Sequence, residues 1–202
     1  MIIAFVQNRI ALQPLLQCSF ARWQPKVGDP SLVGWLTVAA YLVTMVLCVL
    51  VFRRLARRPM AVRLFWLTLS ALMLFLAINK QLDLQSFATA LARCIAKAQG
   101  WYDQRQSFQL AVIITIAISA GVGALGFLWL LRHHLKRNIL ALCGLALVLG
   151  FVVIRMAGFH QFDVIVNFPE AVFRLNRALE LSGPALISAN AIVLLKFRPA
   201  HH

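Results

Sequence analysis

Apolar residues gather into long runs separated by short polar stretches. The runs cover about Ser31–Phe52, Ala61–Ile78, Phe108–Leu131, Ile139–Met156 and Leu179–Phe197. Each approaches the roughly 20 residues that a helix needs to cross the hydrocarbon of a bilayer. Pro30 and Pro59 stand just before the first two runs, where proline suits the approach to a helix. The fifth run is the weakest, because it contains Glu180, Pro184 and Asn190; without it, four helices would span. The pattern predicts an all-α integral membrane protein, a bundle of about five transmembrane helices with interfacial amphipathic helices beside it.

Between the second and third runs the period changes. Over Gln81–Gln99, Leu84, Phe87, Ala88, Leu91, Ile95 and Ala98 fall on one helical face, and Gln85, Ser86, Thr89, Arg93 and Lys97 on the other. This predicts an amphipathic helix at the outer interface. Gly100 is placed to stop it, and Trp101 and Tyr102 suit the headgroup level. A second interfacial candidate covers Pro169–Leu179, with Asn167 and Glu170 in a capping relation. Residues 1–30 are apolar but broken by Gln7, Asn8, Arg9 and Pro14. They lack the basic start of a signal peptide and read as an interfacial segment. Residues 31–202 form the bundle.

Composition agrees with the pattern. Of 202 residues, 61% are hydrophobic and 13% charged, against roughly 25% charged in soluble domains. Mean hydropathy is +0.81. The net charge of +14 does not indicate nucleic acid, because the cations form short collars such as Arg53-Arg54-Leu55-Ala56-Arg57-Arg58 rather than one basic patch. Collars of this kind set topology and attract anionic lipids.

The collars also predict orientation. Segments 53–63, 132–138 and 196–202 hold ten Lys/Arg in 25 residues; segments 1–30, 79–107 and 155–177 hold ten in 82. The dense set belongs to the cytoplasm, which puts the N-terminus outside and the C-terminus inside. All six acids, Asp29, Asp83, Asp103, Asp163, Glu170 and Glu180, fall on or near the outer side. Cys18 and Cys94 share that side, so a disulfide between them is possible. Cys48 and Cys143 lie within apolar runs and read as small hydrophobes.

Three groups of residues could carry chemistry. Asn79, Lys80, Asp83 and Gln85 sit at the rim after the second run, with Asn79 and Asp83 on one face if the helix continues. Arg155, His160 and Asp163 follow the fourth run, and His160 and Asp163 are three apart. Glu180, at the start of the fifth run, needs a cationic partner; Lys80, Arg155, Arg174 and Arg177 are available. Asn79, Lys80, Gln85 and Arg155 are therefore candidate ligand-binding residues, and Asp83, His160, Asp163 and Glu180 candidate acid–base groups. Imidazole and thiolate ligands are too few for zinc, and no cofactor is implied. Gly121-Val-Gly123-Ala-Leu-Gly126 matches a dinucleotide fingerprint literally, but lies inside a span and follows no strand. Ala117/Gly121, Ser119/Gly123, Ala120/Ala124 and Ala146/Gly150 read instead as helix-packing pairs. Ser182, Ser188 and Asn190 read as helix–helix hydrogen bonders.

The segments Asn79-Lys80-Gln81-Leu82-Asp83-Leu84-Gln85, Ala98-Gln99-Gly100-Trp101-Tyr102-Asp103-Gln104-Arg105 and Arg155…Phe159-His160…Asp163 resemble a group of small, functionally uncharacterised multi-pass membrane proteins of bacteria. The likeness covers the chain from the second to the fourth span. It implies a bacterial inner membrane and transfers no activity. The group often has a second histidine where this chain has Gln161, which weakens a two-histidine metal site.

Three functions fit. The leading expectation is an accessory or structural subunit that binds a membrane partner or a second copy of itself. The alternative is a membrane-embedded enzyme acting on a lipid or lipid-linked substrate at the outer leaflet, and a further one is an oligomeric channel or ion/proton carrier.

Overall fold

The computed structural model describes residues 9–24, 27–98, 100, 105–158 and 169–197. All the regular secondary structure among the described residues is helical: α1 (Arg9–Arg22), α2 (Leu32–Arg54), α3 (Met60–Leu82), α4 (Leu84–Ala98), α5 (Arg105–Leu130), α6 (Leu135–Gly158) and α7 (Pro169–Lys196). One 3-10 turn, Arg132–His134, leads into α6. Five of these helices, α2, α3, α5, α6 and α7, contain stretches long and apolar enough to cross a membrane.

Local chemistry fixes the helix ends. Ser31 caps α2 by accepting a hydrogen bond from Gly34 N at 3.1 Å, which serves one of the orphan donors of a helix start. Asp83 ends α3 in the left-handed region, at φ 45° and ψ 52°, where few residues other than glycine settle and aspartate is one that does. Its N–H closes α3 on Asn79 O at 3.0 Å, and its carbonyl accepts Ser86 N at 3.0 Å to open α4. The predicted amphipathic helix from Gln81 is thereby corrected. Gln81 and Leu82 finish α3, and the amphipathic helix starts at Leu84. Gly100, beyond that helix, has the positive φ of 75° that its stop position needs. The separate interfacial helix over Pro169–Leu179 is corrected too: those residues run into the fifth span as one helix.

Four helices make the core. α2 packs against α3 and α7, and α7 against α6. Phe65, Trp66, Leu69 and Met73 follow the helical period on α3 and are fully buried, with Val51 and Cys48 from α2 and Ile187 from α7. The α6–α7 crossing is a close one. A Cβ on Gly144 would lie 2.8 Å from Gly183 O, and one on Gly183 would lie 2.9 Å from Gly144 O. The glycines of the pairs expected to pack behave differently: a Cβ on Gly121, Gly123 or Gly150, like one on Gly126, would meet nothing within 4 Å among the described residues. Polar bonds join the same helices. Thr44 and Ser188 hydroxyls are 2.8 Å apart, and Ser70 Oγ donates to Met45 O at 3.4 Å. Among the described residues Ser182 bonds within its own helix, to Leu179 O.

α5 stands apart. None of its apolar window is buried, against 33% to 44% in the other four spans. Its main tie is to α6, supplemented by the edge-on Phe65–Phe127 ring pair at 5.4 Å. α1 and α4 form a separate pair, joined by the Cys18–Cys94 disulfide and by the Phe20, Trp23 and Phe87 rings.

Candidate functional site

The rim at the end of α3 holds the described ion pairs. α3 continues one turn past its apolar run and carries Lys80 to the edge of α7. There Lys80 Nζ meets Glu180 Oε1 at 3.1 Å and Oε2 at 3.2 Å. The Lys80 and Glu180 side chains are only 13% and 6% exposed, so the attraction is poorly screened by water. Asp29 comes in from the lead to α2, with Oδ2 3.8 Å from Lys80 Nζ and 38% of its side chain exposed.

Asp29 is held from several sides. Its Oδ1 accepts the Ser31 hydroxyl at 2.6 Å and Ser31 N at 3.2 Å. The Ser31 hydroxyl bond is the largest effect and keeps its carboxyl below the ordinary value of 3.8; burial opposes it, and the Ser31 N–H and then the charges of Lys80 and Arg177 add to the lowering. Gly28 brings this lead close. Its N–H donates to Gln81 O at 2.7 Å, and a Cβ there would sit 3.2 Å from both Gln81 O and Lys80 O.

Other groups border the pair. Tyr41 of α2 is buried and within electrostatic reach of both Glu180 and Arg155. Arg155 Nε and both amide atoms of Gln81 are buried without a hydrogen-bond partner among the described residues.

The three predicted groups therefore come together only in part. Lys80 and Glu180 pair, and Arg155 lies in the same electrostatic neighbourhood. Asn79 contributes its carbonyl to the end of α3. Asp83 caps the α3–α4 junction, where its Oδ2 accepts the Ser86 hydroxyl at 2.5 Å. The Gln85 side chain, His160 and Asp163 lie outside the described residues. Asp29 and Tyr41 were not among the expected site residues. Asp29-Pro30-Ser31 ahead of an apolar run was a legible capping signal; Tyr41, one aromatic within a span, gave none. Chemically, the Lys80–Glu180 pair spends its charges internally. It suits a lock between α3, α7 and the lead to α2. Among the described residues no three His, Cys, Asp or Glu could hold a metal ion.

The opposite end carries the basic collars. Arg54 donates to Leu195 O, and Trp66 Nε1 donates to Asn138 Oδ1 at 3.1 Å. Asn190 bridges α7 to α6, donating to Arg137 O at 2.9 Å and accepting from Ala141 N at 3.1 Å. Arg63 stacks over Phe52 and Arg132 over Trp129.

Comparison with known proteins returns no family model, no curated protein and no solved structure that matches the chain.

Proposed function

We propose that this chain is a small multi-pass subunit of a bacterial inner membrane, and that it assembles through α5 with another transmembrane helix, from a partner or from a second copy. One observation carries the reading: α5 alone among the five candidate spans buries none of its apolar window. Its Gly121, Gly123 and Gly126 face open space. In lipid, helix association draws on close packing rather than on escape from water, and small residues permit it. The Gly144–Gly183 crossing illustrates such a contact within the chain itself.

The orientation of the reading is N-terminus outside and C-terminus cytoplasmic. The basic collars support it through the preference of Lys and Arg for the cytoplasmic side. The Cys18–Cys94 disulfide supports it independently, because disulfides persist in the bacterial periplasm and are rare in the cytosol. Both features support an outer position for the α1–α4 pair.

The test is native mass spectrometry of the full chain extracted in mild detergent, beside Gly121→Leu/Gly123→Leu. The expected result is a complex heavier than one chain that is lost in the double variant. A monodisperse monomer without a bound partner overturns the proposal.

A further inference from the structure

A groove of about 280 Å³ opens between α6 and α7 at the basic end. Lys136 and Arg137 stand at its mouth. Ile139 and Leu140 of α6 and Val193, Leu194 and Phe197 of α7 form its walls, and Asn190 is the polar group within it. Arg137 also borders a neighbouring cleft lined by Arg58 and His134.

The polarity of the groove runs in one direction, from cations at the mouth to aliphatic walls within. Along α7, Phe197 to Asn190 spans about 10 Å at the rise of an α-helix. The mouth is electrostatically incomplete. Lys136 and Arg137 occupy the first turn of α6, which contains no acid, so two cations face the positive end of the helix dipole. Both described ion pairs belong to Lys80, at the other end of the molecule. An anion at the mouth would answer Lys136, Arg137 and the dipole together. A free anion would leave the apolar walls unused.

We infer that the groove binds one anionic glycerophospholipid of the leaflet at the basic end, its phosphate at Lys136 and Arg137 and its upper acyl chain against Ile139, Leu140, Val193 and Phe197. This rests on the membrane reading above and adds a defined lipid site to it. Asn190 contributes shape, since its amide already ties Arg137 O to Ala141 N.

The full chain is placed in nanodiscs of phosphatidylcholine doped with phosphatidylglycerol, and retained lipid is counted by native mass spectrometry on release. Wild type is expected to keep phosphatidylglycerol selectively. Lys136→Gln/Arg137→Gln should weaken retention about fivefold for each charge removed. Val193→Trp should abolish it by filling the groove without changing charge. Arg53→Gln/Arg57→Gln removes the same charge elsewhere on the collars and should retain the lipid. Equal loss in that control, or retention unaffected by the groove variants, overturns the site. So does displacement of the lipid by glycerol phosphate alone, which would mean that phosphate without the acyl chain suffices. The membrane reading is checked separately, by whether the chain stays with vesicles through an alkaline carbonate wash.

Discussion

The α6–α7 crossing and the exposed surface of α5 both carry glycines, and they are used in opposite ways. At the crossing, Gly144 and Gly183 bring two backbones so close that neither position has room for a Cβ. On α5, Gly121, Gly123 and Gly126 have open space around them. The crossing also belongs to a unit tied by the Lys80–Glu180 ion pair and by Asn190, whereas α5 is attached by little beyond α6 and one ring contact. Small residues spaced along one helix therefore do not identify its packing face. What matters is whether a second helix presents a small residue at the same level.

The difference predicts a graded response to substitution. The largest effect is expected from Glu180→Gln, which leaves the Lys80 charge, among the described residues, with the more distant, more exposed Asp29. Removing one member of a buried pair costs about 3 kcal/mol. Equilibrium unfolding in detergent should register the loss, and Lys80→Met/Glu180→Met should recover part of it. Gly183→Leu comes next. Its Cβ collides with Val148 and with Gly144 O, and overpacking of this kind costs about 2 kcal/mol. Failure of Gly183→Leu to lower the unfolding midpoint would break the contrast between the two glycine sets. Gly121→Leu should change the stability of the monomer by no more than about 0.5 kcal/mol, while weakening the assembly proposed for α5.

The smallest effect concerns Asp29. Its carboxyl is held below the ordinary value of 3.8, first by the Ser31 hydroxyl, then by the Ser31 N–H, and last by Lys80 and Arg177. A carboxyl depressed in the folded state adds stability that is fully present above its ordinary value and disappears as pH falls through the depressed one. Wild type should lose this increment on acidification below the usual carboxylate range. Asp29→Asn should show no such increment in the same titration of unfolding midpoint against pH.

The spans were legible because apolar runs of membrane length carry their own signal, and the structure moves their ends by only a few residues except at α7. The break at Asp83 was hidden, since the apolar period of α4 can be extended backward through Gln81 without penalty. The α6–α7 crossing was hidden for another reason. Gly144 has Leu140 and Val148 four residues away, and Gly183 has Leu179 and Ile187, so neither belongs to a small-residue pair along its own helix. Glu180 was legible as an acid in need of a cation. Its pairing with Lys80 was not, because that depends on how α3 and α7 are placed by packing elsewhere. Asp29 reached the rim through its own capping turn, and the only long-range part of its position is the Gly28–Gln81 hydrogen bond.

The Cys18–Cys94 disulfide joins residues 76 apart, and so closes a covalent ring around α2 and α3. A ring tolerates one cut. The turn between those helices exposes Arg57, while Pro59 shields Arg58 from trypsin. A single nick after Arg57 should therefore leave one species on a non-reducing gel and two fragments on a reducing one. Because the nick and the bond lie at opposite ends of the same two helices, the cut after Arg57 in a sealed vesicle requires protease on the side of the basic turn. The gel then reports which way the chain faces.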